Sequence, residues 1–159
     1  MVVSTLDTCQ VGQEFDSIPT HLTIAPWFNL PIESWNAFNT EMDEVVLEHR
    51  FSPSRGGDAA EYGDDGSVKV RRLNHPDLFT IVQVFPVHAA VFELAHHFDP
   101  DIDAAYSRLN YSPHVSDSSD RAITEGEIVD LSNLTVFQKR AETGRKLVKA
   151  VYLWDIING

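Results

Sequence analysis

His21-Leu22-Thr23-Ile24 returns as His114-Val115-Ser116-Asp117, and a proline stands shortly before each copy, Pro19 in the first and Pro113 in the second. In an extended strand alternate side chains share a face, roughly 7 Å apart, so each copy sets an imidazole and a hydroxyl on one side. One copy alone would say little, because a histidine two residues before Ser or Thr arises often by chance. Such a strand reads most simply as half-buried, with its histidine hydrogen-bonded. Two copies, separated by more than half the chain and flanked by elements in similar order, read instead as an old duplication of a βα unit. A tandem repeat would have a shorter period. The halves fall at roughly 1–85 and 86–159 of a single domain.

Ile18, Thr20, Leu22 and Ile24 occupy one face of the first strand and His21 and Thr23 the other, until Ala25-Pro26 ends it. Residues 1–17 are polar and mixed and predict a short first strand or an ordered tail. Beyond Pro31, the stripe Ile32, Trp35, Phe38, Met42, Val45 and Val46 predicts a helix with a buried apolar face and a solvated acidic one. Residues 52–67, rich in Gly, Ser and Asp, predict a loop with turns. A phosphate-cradling loop is rejected there, because a strand from Ser67 to Leu73 follows where a helix would be needed. Leu78 to Phe85 predicts a central strand, and Pro86 opens a helix to about His97. His96 and His97 do not share a helix face, so they make a poor ligand pair. A short helix is expected around 104–109, a polar loop over 116–124, and strands at 127–137 and 147–156 joined by the basic turn 139–146.

The chain has 159 residues, 43% hydrophobic and 23% charged, enough for one domain with a real core. It has no apolar run of membrane-spanning length and no basic-then-apolar leader, so neither membrane partner nor secretory route is expected. A single cysteine, Cys9, predicts no internal disulfide and a reducing, cytoplasmic compartment. The net charge of −12, from 12 basic and 24 acidic residues, argues against long nucleic acid as a partner. A small phosphodiester in a local pocket needs only two or three cations.

The paired His-x-hydroxyl motifs, the Tyr111-Ser112-Pro113-His114-Val115-Ser116 context and the chain length resemble the two-histidine (2H) phosphoesterase superfamily, the LigT-like cyclic phosphodiesterases. That superfamily includes RNA 2′,3′-cyclic phosphodiesterases, 2′-5′ oligonucleotide phosphodiesterases and phage enzymes that destroy cyclic-nucleotide signals. The resemblance spans about 19–155, and its specific content is the two tetrapeptides. Asp117 departs from it, standing where the family has an apolar residue. Mixed periodicity predicts an α+β fold; the resemblance implies two β-rich lobes with packed helices around a central cleft.

In that cleft His21 and His114 are expected to act as acid and base, since imidazole titrates near neutrality. Thr23 and Ser116 would donate to the non-bridging phosphoryl oxygens. Trp27, Phe28 and Tyr111, beside the motifs, are candidates for stacking a base, with core packing or strand bracing as the alternatives. Lys69, Arg71, Arg72 and the 139–146 turn are candidate phosphate contacts. The expected activity is a metal-independent, cofactor-free phosphodiesterase acting on a cyclic nucleotide, a cyclic oligonucleotide or a short oligonucleotide. Cleavage of RNA 2′,3′-cyclic ends or 2′-5′ linkages is the alternative. A module that only sequesters a nucleotide, and a metal site built on the two histidines, are the competing classes. Intact pairing of both motifs argues against the first, since a degraded site would be expected to lose one, and a metal site would need further ligands and leave the hydroxyls without purpose.

Overall fold

A computed structural model describes residues 1–49, 54–62, 65–74, 78–106, 110–116 and 121–154. Within them the chain forms β1 (Val2–Thr5), β2 (Glu14–Phe15), β3 (His21–Ala25), α1 (Trp35–Glu48), β4 (Ser54–Tyr62), β5 (Val68–Asn74), α2 (Leu78–Phe98), β6 (His114–Ser116), β7 (Ile128–Val129), β8 (Asn133–Lys139) and β9 (Lys146–Leu153). The fold is α+β. One sheet carries all nine strands in the order β2-β9-β8-β1-β3-β6-β5-β4-β7, and each observed pairing is antiparallel.

The strand order places the two motifs side by side. β3 pairs with β6, Leu22 facing Val115, and both residues are fully buried. They belong to one apolar core with Ile24, Phe38, Met42, Val87 and Val91, so both helices cover this face of the sheet. Burying each such side chain stabilises the fold by about 1.5–3 kcal/mol. Because strand side chains alternate, the histidines and hydroxyls are left on the opposite face. A smaller cluster of Val3, Cys9, Phe137 and Val148 seals part of that face beside the site. Burial pushes the Cys9 thiol pKa up, as expected of an inert thiol.

Residues 1–85 and 86–159 do not each occupy one end of the sheet. β8 and β9 lie beyond β1, whereas β4 and β5 lie beyond β6. β1, foreseen as a short strand or tail, is fully buried in the middle of the sheet.

Three expectations are corrected. Leu78–Phe85 is not a central strand but the first part of α2, which continues through Pro86 to Phe98. A short apolar run does not by periodicity distinguish a buried strand from a buried helix, and here tertiary packing overrides the β-branched preference. Ile32 is not on the core stripe: it lies in a 3₁₀ turn before α1 and is 89% exposed.

The third correction is β4, a nine-residue strand where residues 52–67 predict a loop. Its glycines are strand features. Gly56 exchanges backbone hydrogen bonds with Glu127 and Gly126, each 2.8 Å, and a side-chain carbon there would overlap the carbonyl oxygen of Thr124. The β4–β5 register also shifts between Gly56 and Ala59, a bulge of the kind glycine marks. Gly56→Ala is therefore expected to lower stability by about 1–3 kcal/mol through forced backbone displacement. A urea midpoint equal to that of the unaltered chain would show that the contact relaxes at no cost.

Among the described residues no helix is long and apolar enough to cross a membrane. Residue 117 and the loop to residue 120, residues 107–109 of the expected short helix, and the last part of the strand expected to end at 156 lie outside the described residues.

Candidate active site

The facing pair Leu22 and Val115 sets the register of the whole site. One residue to either side, His21 stands opposite Ser116 and Thr23 opposite His114. Directly opposed side chains have β-carbons about 4.5–5.5 Å apart and diagonal ones about 7–8 Å. Each histidine is thus beside the hydroxyl of the other motif, and the two imidazoles face diagonally across the seam. All four residues are half-buried, at once accessible to a ligand and shielded from bulk water.

The two imidazoles are fixed in the same way. Nδ1 of His21 is 2.7 Å from the carbonyl oxygen of Pro19, and Nδ1 of His114 is 2.7 Å from that of Ser112. A carbonyl only accepts, so each Nδ1 carries a proton and donates it. Nε2 is then the nitrogen left to exchange a proton with a ligand. The carbonyl in each case belongs to the residue two positions before the histidine, a local reason for the matching approach of the chain to both motifs.

Burial lowers the pKa of both histidines, partly offset by the Nδ1 hydrogen bond, which favours the charged form. At His21 a positive His114 lowers it further. The pair therefore resists double protonation, and a singly protonated state divides it into one acid and one base.

The first motif strand is braced from behind. The Tyr111 phenol donates to the carbonyl of Thr23 at 2.9 Å, and Nδ1 of His88 lies 2.7 Å from the carbonyl of Ile24. The two rings stack at 3.7 Å with 4° between their planes. Burial raises the Tyr111 pKa strongly. Of the three aromatic candidates, Tyr111 has the bracing role, and its ring is taken up by His88. Phe28 is packed in the core, 5.6 Å from the Phe38 ring. Trp27 is 41% exposed just past the end of β3.

The candidate cations separate in the same manner. Arg71 donates to the carbonyls of Ile123 and Gly57 and holds the sheet to the following loop. Arg140 pairs with Glu14, and Arg145 with Glu14 and Asp16, binding β9's turn to β2 at the far edge of the sheet. Lys69 faces Glu61 in the β4–β5 register. Arg72, however, stands directly opposite His114.

Two residues not foreseen from the sequence adjoin His114. The Tyr62 ring meets its imidazole edge-on, 4.7 Å between centroids and 88° between planes. The Tyr62 hydroxyl shares a 3.1 Å hydrogen bond with Ser112 Oγ, and Ser112 is the residue whose carbonyl fixes His114. Tyr62 lies at the end of a segment that reads as a loop, and nothing local in the sequence announces its contact with a residue 52 positions away.

No family model matches the chain, and comparison with curated proteins finds no match. What the sheet presents chemically is the quartet itself: two histidines with defined tautomers and two hydroxyls, interleaved on adjacent strands over an apolar floor.

Proposed function

We propose that the chain is a metal-independent phosphodiesterase of the two-histidine kind, acting on a small cyclic phosphodiester. The observation that carries this reading is the pairing of Leu22 with Val115, which interleaves both His-x-hydroxyl motifs on one face. A phosphoryl group above the β3–β6 seam meets an imidazole on each side and a hydroxyl beside each imidazole. A nucleotide-sequestering module would have no need of two imidazoles with matched Nδ1 anchoring.

In hydrolysis one imidazole removes a proton from water as its oxygen forms the new bond to phosphorus. The other imidazole protonates the departing oxygen as the old P–O bond breaks. Thr23 and Ser116 donate to the non-bridging oxygens while negative charge builds on them. A 2′,3′-cyclic phosphate yields a monoester in this way. In a 3′-5′ linkage the neighbouring 2′-hydroxyl can replace water as attacker, expelling a 5′-hydroxyl and leaving a cyclic phosphate. The bilobal cleft of the superfamily belongs to this proposal: the seam between β3 and β6 is its counterpart in a continuous sheet. A cytoplasmic setting suits the lone, buried Cys9.

The pH profile tests the reading. Both histidine pKa values lie below the ordinary 6.5, so the singly protonated pair is most populated on the acid side of that value. kcat/KM, which reports the free enzyme, is expected to be bell-shaped with its maximum there. A bound phosphodiester anion favours imidazolium, so the kcat profile is expected to lie at higher pH than the kcat/KM profile. For stability the sign is the same: the neutral imidazoles' contribution is complete above 6.5 and is lost as pH falls through the depressed values. The assay is a panel of cyclic mononucleotides, cyclic oligonucleotides, 2′-5′ oligomers and 2′,3′-cyclic ends, with and without EDTA. A rate that climbs steadily into alkali, or that disappears on chelation and returns with a divalent ion, would replace the imidazole pair by metal-bound hydroxide.

A further inference from the structure

Thr23, His114 and Arg72 form one row across β3, β6 and β5, with successive strands about 4.8 Å apart. The reacting phosphorus, in the function proposed above, lies over the β3–β6 seam between the two imidazoles. Arg72 starts a full strand beyond His114, on the side away from His21. The Tyr62 ring packs against His114, and Arg72 is among the groups that lower the pKa of its phenol, which sets guanidinium and phenol close together. That phenol in turn reaches Ser112 Oγ. Tyr62 thereby places a cation and two hydroxyls together on the outer flank of His114. The Ser112 hydrogen bond first, and Arg72 second, lower the Tyr62 pKa, which makes the phenol a better donor.

Four other arginines among the described residues are committed to protein acceptors. Arg121, Arg140 and Arg145 are paired with carboxylates and Arg71 with backbone carbonyls, whereas Arg72 is exposed beside a phenol. A planar guanidinium flanked by hydroxyl donors matches the oxygens of a phosphate. In a chain of net charge −12, a cation with no carboxylate partner among the described residues is where an anionic ligand can gain most.

We infer that Arg72, Tyr62 and Ser112 form a subsite for a second, non-reacting phosphate, one nucleoside away from the phosphate held between His21 and His114. This rests on the proposed phosphodiesterase site and narrows its substrate: an oligonucleotide, cyclic or short and linear, fills both positions, whereas a cyclic mononucleotide fills one. Arg72 is the binding cation of this subsite. Tyr62 is the positioning residue that holds it off the seam.

The test compares two probes in binding and two substrates in turnover. Isothermal titration at low salt measures adenosine 3′-phosphate, with one phosphate, against adenosine 3′,5′-bisphosphate, with two. The second phosphate is expected to tighten binding at least about tenfold in the unaltered protein, the scale of a charge-assisted contact. In Arg72→Gln that advantage falls to within about twofold. Tyr62→Phe, which keeps the ring against His114, retains an intermediate advantage. In turnover, kcat/KM for a cyclic dinucleotide relative to a cyclic mononucleotide falls in Arg72→Gln by the same factor, and replacing the second phosphate by a neutral methylphosphonate abolishes the difference between variant and unaltered protein. If Arg72→Gln weakens both probes equally, Arg72 serves the reacting phosphate and the second subsite does not exist. An unchanged ratio likewise overturns it, while leaving the two-histidine site standing. Failure of either probe to bind the unaltered protein, with no turnover of either substrate, overturns the site and the subsite together.

Discussion

His21→Ala and His114→Ala are each expected to lower kcat by about 10²–10⁴-fold against a phosphodiester with an unactivated leaving group. Neither substitution disturbs the core, because the side chains lie on the sheet face opposite Leu22 and Val115. The far-ultraviolet circular dichroism and the urea midpoint should therefore stay close to those of the unaltered chain. The double variant should be little worse than either single one, since two groups acting in one proton exchange are not additive. Near-normal turnover by either folded single variant would end the paired-histidine mechanism.

The second large effect separates the histidines. His21 is the more deeply buried of the two, and a positive His114 further disfavours its protonation. In the proposed mechanism the single proton of the pair is expected on His114, with His21 as base and His114 as acid. A p-nitrophenyl phosphodiester expels an oxygen that needs no proton to leave. Against it His114→Ala should lose no more than about tenfold, whereas His21→Ala should still lose 10²-fold or more, roughly the contribution of a general base. The reverse order of losses would exchange the two roles, and equal losses would mean that proton donation to the leaving group is not what His114 does.

Period-two alternation was the part of this architecture that the sequence carried openly. It put His21 with Thr23, His114 with Ser116, and Leu22 and Val115 on the other side, because strand geometry alone decides it. What alternation could not supply was that these two strands are neighbours. β6 has three residues, too few to announce a partner, and adjacency comes from the helices packed beneath. The misread segments have local causes. Glycines in β4 look like turn residues until the close approach of Thr124 and Glu127 is known, and Leu78–Phe85 carries strand-like residues into a helix. Arg72 could be put on a strand but not told apart from Arg71, whose side chain points to the other face. Tyr62 was hidden by the same misreading as β4, and His88 because a helix histidine shows nothing of the carbonyl it will meet.

The contact between Leu22 and Val115 has two sides. Above it stand the four polar groups; below it lie Phe38, Met42, Val87 and Val91. Protein interiors are close-packed, so a change of one methylene is felt by its neighbours. The spacing of the imidazoles is thus adjustable from the reverse of the sheet. A substitution in the helices, far from any ligand, can widen or narrow the gap between proton donor and acceptor. If the proposed activity holds, the core beneath the seam is the fine adjustment of the chemistry above it, and substrate preference can drift through it while every residue that touches the phosphate stays the same.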